Sequence, residues 1–220
     1  MSGSRLTRFQ TRILGLLAGI TPRWTLTGGG ALAGVHLCHR ETRDLDLFWR
    51  SRAELGTLIA DTASTLRAAG LDAQVLRTAP AFGELRVSDG RDTCVVDLVA
   101  EPFAAIEPPE EALIEGAAIS VDSRHEILAS KLATLLERSE VRDLADVKAL
   151  LDAGGDLGAA LRDAPKKDAG FSPLTLAWVL KDYDPRPAVK ALGWDARQAD
   201  ELLSFRQWLI EQLTARAAPE

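Results

Sequence analysis

Two aspartates one residue apart in an otherwise apolar strand pattern, Asp44-Leu45-Asp46-Leu47-Phe48, constrain this chain more than any other feature. Successive side chains of an extended strand alternate between faces, so Asp44 and Asp46 share one face and Leu45 and Leu47 the other. One face is thereby committed to a core. The other carries two carboxylates close enough to repel, which is costly unless a cation sits between them. Magnesium is the natural occupant, because it takes hard oxygen ligands and leaves positions open for substrate phosphates. A solvated edge strand is the other reading that these two residues allow by themselves.

The flanking sequence favours a site. Trp24 to Thr27 reads as a strand stopped by Gly28-Gly29-Gly30, and Ala31 to Leu37 as a short helix. Backbone N–H groups at a strand-to-helix turn attract phosphate, which makes Gly28, Gly29 and Gly30 candidates for nucleotide binding. Further on, Asp97 interrupts the apolar run Val95-Val96-Asp97-Leu98-Val99. A carboxylate there is expensive to bury without a partner. If its strand lies beside the first, Asp44, Asp46 and Asp97 converge as metal ligands able to position a nucleoside triphosphate. The alternative is an ion pair between Asp97 and an arginine such as Arg86.

Helical and strand patterns place these motifs. Leu6, Phe9, Ile13, Leu16 and Leu17 recur at helical spacing, which suits an amphipathic N-terminal helix better than an export signal. Ser51-x-x-Glu54 reads as a capping box for a helix to Ala69, with Gly70 closing it. Ala73 to Arg77, Phe82 to Ser88 and Thr93 to Val99 are strands, the last two joined through a turn at Ser88-Asp89-Gly90. The Pro- and Glu-rich stretch 101–111 reads as a loop or short helix, and Ala118 to Val121 as one more strand. From Ser123 the pattern is helix after helix: a capping box with Glu126 and a helix to Arg138, then Val141 to Leu151. Leu174 to Lys181 follows Ser172-Pro173, and a last helix runs from Asp195 to Ala215. The expected fold class is α+β, a small mixed β-sheet flanked by helices over residues 1–120 and a helical domain over 121–220.

Composition sets limits on function. With 46% hydrophobic and 26% charged residues the chain reads as an ordinary soluble globular protein. Its apolar runs fall short of the roughly 18 residues of a membrane span, so no membrane partner is expected. Cys38 and Cys94 stand alone, which suits reduced thiols in the cytoplasm rather than zinc or a disulfide. A net charge of −6 argues against a large nucleic-acid surface but leaves room for a local basic cleft.

The glycines, the short helix, His39-Arg40 and Asp44-Leu45-Asp46-Leu47-Phe48 together resemble the nucleotidyltransferase domain of AbiEii/AbiGii-type toxins, in the DNA polymerase β-like superfamily. Lys131-Leu132-Ala133, Arg138 and Arg142-Asp143-Leu144-x-Asp146 are similar to that family's helical motif. The resemblance spans roughly residues 22–150, and 155–220 carry no motif to match. It implies a nucleotidyltransferase core whose cleft is completed by the helical half. The activity implied is Mg²⁺-dependent transfer of a nucleoside monophosphate from a nucleoside triphosphate to a hydroxyl acceptor. The acceptor would be RNA, particularly tRNA, with an antitoxin protein as partner. Asp44, Asp46 and Asp97 would hold Mg²⁺, and Asp97 would accept the proton of the acceptor. Lys131 would neutralise triphosphate charge, unless it only snorkels to water, and Asp143 would lie near the metal. Arg40 would touch phosphate or pair with Asp44, and Asp146 would hold Arg142. Arg40, Arg43, Lys131, Arg138 and Arg142 would gather at the cleft and grip RNA. One departure stands out, because Gly30 occupies a place where many relatives have a Ser or Thr hydroxyl on the triphosphate. That departure keeps a non-catalytic binding module open as an alternative. An aminoglycoside-like acceptor and a phosphotransferase using the same metals are others.

Overall fold

Strand alternation governs the first 123 residues of the computed structural model, which describes residues 3–217. The elements there are α1 (Arg8–Leu17), β1 (Thr25–Thr27), α2 (Gly28–Ala31, continued by a π turn at Leu32–His36), β2 (Asp44–Arg50) and α3 (Leu58–Ala68). They are followed by β3 (Asp72–Ala79), β4 (Phe82–Ser88), β5 (Thr93–Glu101), β6 (Glu110–Ile114) and β7 (Ala117–Val121). The seven strands form one sheet in the order β3-β4-β5-β2-β1-β7-β6. The β2–β5 and β1–β7 pairs are parallel and the others antiparallel, so the sheet is mixed.

The apolar face of this sheet is the core. Leu45, Leu47 and Trp49 of β2, Val96 and Leu98 of β5, and Leu85 and Val87 of β4 are all buried. Helices α1 and α3 pack near it through Ile13, Leu14, Leu17 and Leu66, each with no exposed surface. Each such side chain contributes about 1.5–3 kcal/mol through burial. Close approach is built in at Gly83, where an added Cβ would come within 2.7 Å of Ile59 on α3. Helix α1 opens with a full capping box between Thr7 and Gln10. Its buried face uses Leu14 where the helical spacing had pointed to Leu16, which is half-buried.

Two segments differ from the sequence reading. The expected helix start at Ser51 is a turn, with Ser51 at φ 56° and α3 beginning only at Leu58. Strand pairing wins here: the Ser51 and Arg52 amides donate to the carbonyls of Phe103 and Glu101, and Leu55 donates to Pro80. The stretch 101–111, read as a loop or short helix, instead ends in the edge strand β6. A two-residue turn, Glu115-Gly116, with both residues at positive φ, joins β6 to β7.

The second unit, from Arg124 onward, is helical. It comprises α4 (Arg124–Arg138), α5 (Val141–Asp152), α6 (Leu157–Asp163), α7 (Pro173–Asp182), α8 (Arg186–Ala191) and α9 (Ala196–Ala217). Ser139 at φ 45° makes the tight turn between α4 and α5. Leu128, Leu132, Leu135, Leu144, Val147, Leu176, Leu180 and Leu209 are buried and form its core. Asp195 and Gln198 cap each other reciprocally at the start of α9. The short helices α6 and α8 were not foreseen. Among the described residues no helix is long and apolar enough to cross a membrane.

Candidate active site

The polar face of the sheet is assembled by register. Asp44 and Asp46 project from the same face of β2, and Asp46 is the direct partner of Asp97 on the parallel strand β5. On its other side Asp46 faces Thr27, the last residue of β1 before the glycines. The three aspartates named from the sequence therefore share one face, each half-buried.

The turn after β1 is shaped around them. Gly28 has φ +57°, and a Cβ there would lie 2.6 Å from Asp46 Oδ2, so the backbone conformation favours glycine and a larger residue would force Asp46 to shift. A Cβ on Gly29 would meet Thr42 Oγ1 at 2.7 Å and Arg40 Nη2 at 3.4 Å. Arg40 therefore lies beside the glycine turn, where it also donates to the Glu41 carbonyl. Gly30 is different, because its Cβ would press on Leu26 and Leu45 at 3.0 and 3.3 Å. A side chain at Gly30 starts into the core rather than toward the carboxylates. That gives the departure at this position a packing reason.

Thr42 holds Asp44 by donating its hydroxyl to Oδ1 at 2.8 Å. Asp97 is the most perturbed of the three. Burial, followed by the negative fields of Glu84 and Asp44, pushes its carboxyl up to about 6, with Arg77 opposing. Its Oδ1 is buried and accepts no hydrogen bond. The expected alternative partner, Arg86, stands opposite Val95 and is exposed. A buried acceptor oxygen beside two further carboxylates suits a hard cation. Among the described residues no group of three or more His, Cys, Asp or Glu side chains is arranged so that it could by itself hold a metal ion. Magnesium ordinarily completes its shell with water and phosphate oxygens.

The same face ends in an ion-pair network that the sequence reading also missed. Arg50 lies over the Phe48 ring, 5.1 Å from its centroid, and pairs with Glu101 and with Asp122 at 2.5 Å. His36 is hydrogen-bonded through Nε2 to the Asp122 carbonyl at 2.7 Å. Period-two alternation carries Arg50 and Glu101 onto the carboxylate face, and that was the available signal.

The helical unit gathers the other named residues. Lys131 of α4 is buried, with Nζ 2.5 Å from Asp143 Oδ1 and 3.0 Å from Asp146 Oδ2, both on α5. Burial alone would lower the Lys131 pKa, but the fields and hydrogen bonds of Asp146 and Asp143 outweigh it and raise it. Arg138 reaches the second oxygen of Asp143 at 2.9 Å, and Arg142 approaches Glu140 at 3.4 Å. Lys131, Arg138, Asp143 and Asp146 thus form one charge cluster, with Asp146 bound to Lys131. His125 pairs with Asp163 at 2.8 Å.

Known proteins share this architecture. The chain superposes on MenT4, the nucleotidyltransferase toxin Rv2826c from Mycobacterium tuberculosis H37Rv, with a TM-score of 0.56 and 20% identity. That match covers 79% of this chain and 64% of that one, so this chain spans just under two thirds of the length of MenT4. A Helicobacter pylori protein assigned as a nucleotidyltransferase matches with a TM-score of 0.51 and 20% identity, over 97% of this chain and 100% of that one. No curated protein sequence matches the chain. The family model described as "Nucleotidyl transferase AbiEii toxin, Type IV TA system" matches residues 13–210, and the chain belongs to that family.

Proposed function

We propose that this protein is a Mg²⁺-dependent nucleotidyltransferase that moves a nucleoside monophosphate from a nucleoside triphosphate to a hydroxyl of RNA, with tRNA as the favoured acceptor. The observation that carries the reading is the register that sets Asp46 beside Asp97 and on the face of Asp44, with the Gly28 backbone pressed against Asp46. Asp44, Asp46 and Asp97 would hold the cation, oriented in part by the Thr42 hydroxyl on Asp44. Bound magnesium would supply charge neutralisation for the triphosphate and the leaving pyrophosphate. Gly28 and Gly29 present bare backbone to the phosphates, and the Arg40 guanidinium beside Gly29 adds a cation there. Asp97, on the same face as the other two carboxylates, would also be the group placed to take the acceptor proton.

Lys131 and Asp143 enter this reading as positioning residues of the helical unit, each holding the other in place. The family supports a toxin–antitoxin setting, with an antitoxin protein as partner. The two free thiols, Cys38 and Cys94, suit the cytoplasm. The deciding experiment incubates the purified protein with each labelled triphosphate, Mg²⁺ and total RNA, alongside Asp46→Asn. Label should enter RNA with the native chain and not with the variant. Label that enters only small hydroxyl compounds would replace RNA as acceptor, and none from any triphosphate would refute transfer.

A further inference from the structure

The row through Asp46 and Asp97 does not stop at β5. Across β4 the partner of Asp97 is Glu84, and across the edge strand β3 the partner of Glu84 is Arg77. At about 4.8 Å between strands, Asp46, Asp97, Glu84 and Arg77 form a file about 14 Å long on one face of the sheet. Three carboxylates in succession end in one guanidinium.

Both outer members are placed at a cost. A carboxylate directly opposite another across an antiparallel pair is destabilising, and Glu84 faces Asp97 with a side chain only 13% exposed. Arg77 reaches this face only through a β-bulge. Val75 pairs with Leu85 and Arg77 with Glu84, leaving Leu76 as the extra residue. Unbroken pairing would set Leu76 opposite Glu84 and turn Arg77 to the other side. Bulges that re-aim a side chain are common beside functional sites. The re-aimed Arg77 Nη2 lies 2.6 Å from Glu84 Oε2, yet Arg77 is 73% exposed, and so exposed a pair adds little to stability.

We propose that Glu84 and Arg77 are positioning residues that set the divalent-cation affinity of the Asp44/Asp46/Asp97 site. Glu84 raises that affinity by adding negative field at Asp97, and Arg77 limits it by neutralising Glu84. This inference rests on the proposed reading that the three aspartates hold a divalent cation. The two residues act on a cation with opposite signs, whereas a salt bridge with only a structural role would respond alike to the loss of either partner.

The test uses Mn²⁺ as the probe, with bound and free ion separated by electron paramagnetic resonance, on the full chain. The variants are Glu84→Gln, Arg77→Gln and Asp46→Asn, each confirmed as folded by circular dichroism. Coulomb attraction at these separations in a partly solvated site predicts about five- to tenfold weaker binding for Glu84→Gln and about two- to threefold tighter binding for Arg77→Gln. Asp46→Asn should abolish binding. If it does, while Glu84→Gln and Arg77→Gln leave affinity unchanged or shift it in one direction, the inference is wrong and the cation site stands. If Asp46→Asn binds Mn²⁺ as the native chain does, the cation site falls and this inference with it.

Discussion

Asp46 and Asp97 are direct register partners across the parallel β2–β5 pair, so their carboxylates face the same side of the sheet one strand spacing apart. Burial of Asp97 on that face, with the negative fields of Glu84 and Asp44, makes the metal-free protein sensitive to pH. The Asp97 carboxyl is held near 6 in the fold, above its ordinary value of 3.8, so the folded state binds this proton more tightly than the unfolded chain. Stability should therefore fall as pH rises from about 4 through about 6 and then level. Thermal melts in chelator across this range should show the decline for the native chain and a smaller one for Asp97→Asn. Parallel profiles for the two proteins would contradict the burial of charge at Asp97. Added Mg²⁺ should restore the native chain above pH 6 and leave Asp97→Asn little changed.

Gly28→Ala should damage fold and site together. The left-handed backbone there costs a Cβ-bearing residue about 1–2 kcal/mol, and the new methyl would stand 2.6 Å from Asp46 Oδ2. A lower melting temperature and weaker Mn²⁺ binding are both expected. Gly30→Ser restores the hydroxyl found in relatives but sends its Cβ against Leu26 and Leu45. It should lower stability without tightening triphosphate binding, as measured by calorimetry. Tighter binding would show that the Gly30 hydroxyl position does reach phosphate.

The parts of the fold that were legible are those in which local pattern and tertiary pairing agree. Asp44 and Asp46 sit in strict alternation with buried Leu45 and Leu47, and period two alone assigns them to one face. Asp97 could be named as a candidate from its apolar surroundings, but its pairing with Asp46 depends on strand order, which no local pattern encodes. Glu84 was hidden for the same reason. Ser51 shows the opposite failure, a sound capping signal overridden because β5 and its extension take the backbone amides of Ser51 and Arg52. Strand β6 was hidden because Glu110 and Glu111 lie on an edge, exposed, and look like loop. Lys131 could be read as a cation near an apolar face, yet only the packing of α4 on α5 reveals Asp143 and Asp146 as its partners.

The cysteines offer a chemical check on the core face. Burial, the chief cause, pushes the Cys94 thiol up to about 12, with Asp44 and Asp97 adding to the shift and Gln10 opposing it. Thiolate is the reactive form, so Cys94 should resist alkylation at pH 8 in the folded protein. Half-buried Cys38 should react first, and Cys94 only in denaturant. Mass spectrometry after timed iodoacetamide treatment reads this directly. Equal labelling of both would mean that the strand edge at Cys94 opens readily.

A structural Lys131 and one that reaches substrate respond differently to substitution. The Lys131 ammonium is buried between Asp143 and Asp146, and Arg138 reaches the other oxygen of Asp143. Removing the cation leaves buried carboxylates without their main counter-charge, a loss of about 3–5 kcal/mol for Lys131→Met. Because the lysine pKa is raised above 10.5, the native contribution persists through neutral pH and is lost only as pH climbs past the folded value. A second substitution should recover part of the loss, since Lys131→Met with Asp146→Leu replaces a broken ion pair by apolar contact. Urea unfolding of the single and double variants measures both effects. If Lys131→Met unfolds at the native urea concentration yet no longer binds triphosphate, the ammonium serves the substrate and the aspartates merely park it.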